Sequence, residues 1–174
     1  PKKAKQLVDF TMYCSERKLG RLQLSPLYDA IIEMMANTKQ HAYNKDTPLP
    51  YWYLFARFNQ AEQIIEMVFL DTGKSIPSTV RKTKKETLLN LFNRDPDDNS
   101  LIKSAMNGKF RTRTHDSWRG KGLPQIKFLI EQDHIQELTV VSRAAYYQRP
   151  VEIDSNLEKE FLGTLFLWKV HALS

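Results

Sequence analysis

Cysteine is almost missing from this chain, with Cys14 the one copy in 174 residues. That excludes an internal disulfide and a cysteine-rich zinc site, and it fits a reducing, cytoplasmic setting. Glycine is sparse too, at 6 copies, and no repeat or low-complexity tract organises the sequence. No apolar run approaches the roughly 20 residues of a membrane-spanning helix, and no charged-then-apolar leader opens the chain. No membrane association is expected. Two familiar phosphate fingerprints are also lacking. A P-loop needs four residues between its glycines and a Lys-Ser/Thr pair after them, and the dinucleotide pattern is not met either. The initiator Met is missing before Pro1-Lys-Lys-Ala-Lys5, which points to processing or to a piece of a longer protein.

What is present describes a folded domain. Hydrophobic residues make up 41% and charged residues 26%, a balance of globular rather than disordered chains. The length predicts a single domain, residues 1–174. Lysine and arginine number 26 against 20 acidic residues, for a net charge of +6. Much of that excess sits in Lys2 to Lys5 and in Arg81-Lys82-Thr-Lys84-Lys85. Such clusters serve as solvated surface or as a grip on a polyanion, and composition leaves both open.

Periodicity predicts a first helix over 3–18, stopped by Gly20, and a second from Ser25 to Tyr43 with Ser25-Pro26 as its cap and first turn. Asn44 to Pro50 reads as a loop. Tyr51 to Asn59 and Gln63 to Leu70 read as a hairpin, with Tyr51, Trp52 and Phe55 in the sheet core. Ser78-Thr79 is expected to cap a helix reaching Phe92. Asp95 to Ser100 reads as a turn before a helix over 101–106. Leu123 to Gln132 forms an amphipathic helix. Two further strands are expected over 137–143, with 144–147 extending the first, and over 161–170. The natural packing is a two-layer α/β sandwich with a mixed, mostly antiparallel sheet.

Four short patterns carry chemistry. Glu33, Asn37 and His41 are four residues apart, on one stripe of an otherwise apolar helix. An amide oxygen one turn from a carboxylate suits a metal-bound phosphate: Asn ligates Mg²⁺ and Glu orients or deprotonates a water. A solvated polar face would also explain the stripe. Asp71-Thr-Gly73, where a strand ends, places a carboxylate beside bare backbone, able to accept from an exocyclic amine or simply to turn the chain. Arg119-Gly120-Lys121-Gly122-Leu123 feeds a helix start, a setting that favours phosphate or serves as a flexible capped loop. Finally, Gly163-Thr164 interrupts a strand with a close-approach residue next to a hydroxyl, or with a structural bulge.

In this order, from Leu24 to Val170, the four patterns resemble the GHKL (Bergerat-fold) ATPase domains, a family that spans gyrase B subunits, sensor histidine kinases and anti-sigma-factor kinases. The resemblance implies a Bergerat ATP-binding fold with ATP and Mg²⁺ as cofactors. By it, Glu33 positions the hydrolytic water and Asn37 ligates the metal. Asp71 binds the adenine amine, Gly73 allows close approach, and Thr164 supports the base. Gly120, Lys121, Gly122 and Leu123 form the phosphate side of a lid that spans roughly Arg81 to Lys121. His41-Ala-Tyr43 matches the anti-sigma kinase branch. The chain departs from the family's Asp-x-Gly-x-Gly in having Ser75 for the second glycine, and its lid is glycine-poor.

The expectation is therefore a cytoplasmic, Mg-dependent ATP-binding domain that hydrolyses ATP slowly and uses nucleotide state as a conformational switch, with a protein partner or a homodimer as its context. Two alternatives accompany it. One is a serine or histidine kinase of the same fold acting on a separate protein. The other is a nucleic-acid-binding module with a vestigial ATP site, supported by Arg111, Arg113, Trp118 and Arg119.

Overall fold

Strand alternation and helix periodicity build one sheet with helices on one side. The computed structural model describes residues 2–14, 21–39, 51–92, 95–110, 122–151 and 153–171. In chain order these form α1 (Lys2–Cys14), α2 (Arg21–Asn37), β1 (Trp52–Asn59), β2 (Ile64–Asp71), α3 (Ile76–Thr83), α4 (Lys85–Leu91), α5 (Asp98–Met106), α6 (Gly122–Glu131), β3 (Glu137–Arg149) and β4 (Ile153–His171). Among the described residues no helix is long and apolar enough to cross a membrane.

The four strands lie in the order β1-β2-β4-β3, and every neighbouring pair is antiparallel. Among the described residues the sheet is thus wholly antiparallel, where a mixed, mostly antiparallel one was expected. Both β1–β2 and β3–β4 are joined by short connections, which antiparallel neighbours permit and parallel ones do not.

Register explains where the core sits. On β2 the residues Ile65, Met67, Phe69 and Asp71 are buried, every second position. Cross-strand partners share a face, so Met67 aligns with Trp168 and then Leu138, and Phe69 with Phe166 and then Val140. Each of these side chains contributes about 1.5–3 kcal/mol by leaving water. Helices close the layer: Ala4 and Leu7 of α1, Ala30, Ile31 and Met34 of α2, Ile102 and Met106 of α5, and Ile126 and Leu129 of α6 join the same core.

Several element ends differ from expectation. Helix α2 already begins at Arg21, so Ser25-Pro26 lies inside it. The preceding Arg-Leu-Gln-Leu are good helix formers, and a proline this near the start forfeits few bonds. Helix α3 is capped by Ser75, not Ser78 or Thr79; the Ser75 hydroxyl accepts from the Ser78 N–H at 3.2 Å, and Pro77 occupies the first turn. The helix breaks at Lys84 before α4. Asp97 caps α5, which starts inside the expected turn. Strands β3 and β4 both run further than expected, as one long hairpin. Gly20, His41 and Tyr43 lie outside the described residues.

An ion cluster anchors α3 and α5 to β3. Asp98, buried to 3% exposure, accepts from Arg81 Nη1 at 2.6 Å, Arg143 Nη1 at 3.1 Å and the Ala144 N–H at 3.0 Å. Burial pushes its carboxyl up, but the Arg81 hydrogen bond, the Ala144 N–H and the two guanidinium charges outweigh it and hold the group below the usual carboxylate range. Arg143 has φ 55 and sits where the β3–β4 register shifts. A non-glycine residue in that region is strained, and the Asp98 contacts hold it there. Within the expected lid, 81–83, 85–91 and 98–106 are thus helical, with α5 packed on β3.

Candidate functional site

The core-facing side of the sheet ends in a polar row. One step beyond Phe69–Phe166–Val140, the register aligns Asp71 with Thr164 and Thr164 with Ser142. Their exposures are 4%, 2% and 0%. Buried polar groups need partners, and here they are mostly one another and nearby backbone. Ser142 Oγ accepts from the Ile76 N–H at 3.0 Å, donates to the Gly163 carbonyl at 3.2 Å and shares a 3.0 Å bond with Thr164 Oγ1. With the single Ser142 proton on Gly163, Thr164 donates to Ser142 and keeps its lone pairs for another donor.

Asp71 is held more sparingly. Its Oδ1 accepts from the Gly73 N–H at 2.9 Å, the tight turn expected of Asp-x-Gly. Burial raises its pKa from 3.8 to about 6, with the Gly73 bond pulling the other way. Its carboxylate is mostly ionised at neutral pH, buried, and suited to a donor such as an amine.

Two positions explain the glycine pattern. An added Cβ at Gly163 would lie 2.0 Å from the Asp71 carbonyl oxygen, and Gly163 has φ +98. Any side chain there collides with backbone. Ser75, which stands where the resemblance led us to expect a second glycine, has φ −62. That is ordinary backbone, so a serine fits and adds the cap of α3.

The helix side brings a second group together. Glu33 and Asn37 lie one turn apart on α2, and α6 starts against them. The Gly122 N–H donates to Glu33 Oε2 at 3.3 Å. A Cβ on Gly122 would stand 3.1 Å from Asn37 Nδ2 and 3.7 Å from its Oδ1. Glycine at the start of α6 therefore lets the helix approach the α2 pair. Leu123 packs against the main core instead. Gly120 and Lys121 lie outside the described residues, as do Arg111, Arg113, Trp118 and Arg119.

The two groups border one core, since Ile31 and Met34 of α2 and Phe69 of β2 share it. Among the described residues no group of three or more His, Cys, Asp or Glu side chains gathers to hold a metal ion. A metal at Asn37 would therefore depend on the amide oxygen together with phosphate oxygens and water, the habit of Mg²⁺ in nucleotide sites. Ser142 was not singled out from sequence. Its signal was available: it shares the alternation of Leu138 and Val140, so it is a polar residue on a core face.

Comparison with protein-family models and with curated proteins finds no match to this chain.

Proposed function

We propose that the chain is a Mg-dependent ATP-binding domain of the Bergerat type that hydrolyses ATP slowly. The observation that carries this reading is the meeting of Glu33 and Asn37 with Gly122, on the same side of the sheet as the buried Asp71–Thr164–Ser142 row. Asp71 would accept from the exocyclic amine of adenine, with Thr164 presenting lone pairs beside it. Gly163 lets the Asp71 backbone close directly against it, which sets Asp71 in register beside Thr164. Asn37 would lend its amide oxygen to Mg²⁺, which supplies charge neutralisation on the phosphates when bound. Glu33 would orient the attacking water and take its proton, from a position one turn from the metal ligand.

The test is equilibrium binding of ATP analogues with Mg²⁺ to wild type, Asp71→Asn and Asn37→Ala, alongside phosphate release by wild type and Glu33→Ala. The reading expects binding weakened at least about tenfold in the first two variants and phosphate release lost in the third. Tight binding without phosphate release would favour a kinase acting on a separate protein. No detectable binding by wild type would overturn the reading and leave a nucleic-acid-binding module, to be tested by the salt dependence of its affinity.

A further inference from the structure

The other face of the sheet corrects an expectation. Trp52 does face the core, stacked on Phe69 with ring centroids 5.8 Å apart. Tyr51 and Phe55, also expected there, are 55% and 58% exposed. They alternate with Trp52 and Leu54, so they point the opposite way. Tyr53, 44% exposed, stacks on Phe55 at 6.2 Å.

Register turns this face into rows that cross all four strands. One row is Tyr53–Leu70–Leu165–Val141, and the next is Phe55–Val68–Leu167–Thr139. The third is Arg57–Glu66–Lys169–Glu137. Two rows are thus almost wholly apolar on the side away from the helices. The third alternates positive, negative, positive, negative, with Arg57 bonded to Glu66 and Lys169 bonded to Glu137 at 3.1 Å.

We propose that this face binds a second copy of the chain, the two sheets packing face to face about a two-fold axis parallel to the strands. Such an axis keeps each row at its level and reverses the strand order. Strand β1 of one copy then lies over β3 of its partner, and β2 over β4. The apolar rows meet apolar rows. The charged row reads positive-negative-positive-negative over negative-positive-negative-positive, so Arg57 meets Glu137 of the partner and Glu66 meets Lys169. A row with like charges on the two edge strands or on the two central strands would set them against each other under the same operation. Isologous contact of this kind is the commonest way for a chain to pair with itself, and sheets stack at about 10 Å. Three rows on four strands make a patch smaller than the about 800 Å² per partner of a standard interface, so association in the micromolar range is expected. The inference is independent of nucleotide binding.

Sedimentation equilibrium from about 1 to 200 µM tests it, on wild type, Phe55→Ser, Arg57→Glu and the double variant Arg57→Glu/Glu137→Arg. Circular dichroism checks that each variant folds, which the exposure of Phe55 and Arg57 favours. Phe55→Ser and Arg57→Glu should each weaken the dimer about tenfold, and the double variant should recover most of the loss of the second. That recovery is diagnostic. Within one chain Arg57 and Glu137 lie on opposite edge strands, three strand spacings or about 14 Å apart, and each substitution sets like charges beside each other in its own row. Recovery therefore comes only from the partner. Wild type that stays monomeric throughout overturns the proposal. So does a double variant no better than Arg57→Glu, which would place association elsewhere, such as the edge strand β1.

Discussion

The two halves of the candidate site are built differently. At the sheet end, Asp71, Thr164 and Ser142 are buried nearly completely, and their positions follow from ladder register. Gly163 presses against the Asp71 carbonyl, and the Asp98 cluster clamps the bulge beside Ser142. At the α2–α6 junction, Glu33 and Asn37 are half-buried, and one 3.3 Å bond links Glu33 to Gly122. Backbone determines the first half and side-chain reach determines the second. A rigid sheet end suits recognition of a flat, unchanging group. On the proposed function, the side-chain junction would hold the phosphates and metal, whose positions change during a reaction. Substitutions should therefore act on stability at the sheet end and on chemistry at the junction.

The largest expected effect is that of Gly163→Ala, which sets a methyl group 2.0 Å from a carbonyl oxygen at a positive φ. A loss of about 4 kcal/mol or outright misfolding is expected in urea titration. A loss under about 1 kcal/mol would show that the sheet end is less rigid than its geometry implies. Next, Asp98→Ala leaves Arg81 and Arg143 without their shared partner and frees the strained bulge. About 3 kcal/mol should be lost at neutral pH. Because the folded pKa of Asp98 is depressed, its contribution is present above the ordinary carboxylate range and disappears as acid protonates it. Wild type and variant should therefore converge in stability only at low pH.

Asp71→Asn runs the other way. The fold binds the Asp71 proton more tightly than the unfolded chain does, with a pKa of about 6 against 3.8. Stability should accordingly fall as pH rises from about 4 to about 6, by about 3 kcal/mol in total. The asparagine variant should lack that decline and be the more stable protein at pH 8. On the proposed function it binds ATP poorly, and wild-type affinity should drop about tenfold from pH 7 to pH 5 as the acceptor becomes protonated. Flat stability and affinity across that range would remove Asp71 from the site.

At the junction the expected effects on stability are smaller. Gly122→Ala forces Asn37 to yield by a few tenths of an ångström, so about 1 kcal/mol or less should be lost, with a raised Mg²⁺ requirement for nucleotide binding. Glu33→Gln should change stability by less than about 0.5 kcal/mol while phosphate release disappears. If Glu33→Gln destabilised the chain as much as Asp98→Ala, the contrast between the two halves would collapse.

Much of this was legible in the chain. Amphipathic periods located α1 and α6, a long apolar run with one polar stripe located α2, and aromatic and β-branched runs located β1 and β2, because burial acts directly on residue choice. Asp-Thr-Gly read correctly as a tight turn, since that chemistry is local. Boundaries were harder: Ser75 outcompeted Ser78 and Thr79 as a cap, and Asp97 started α5 earlier, where several capping residues stood close together. Tyr51 and Phe55 were misread as core residues along with Trp52, because the outward aromatics here are as apolar as the inward ones.

The sequence by itself determined which segments are helix and strand, and which side chains could bind phosphate, metal or an amine. Tertiary structure alone decided which of them meet. The pairing of Asp71 with Thr164 and of Thr164 with Ser142 depends on ladder register between strands distant in the chain, and the approach of Gly122 to Glu33 and Asn37 depends on how α6 packs on α2. Local propensity reports only on neighbours in the chain, whereas register and packing are settled by burying the whole core at once.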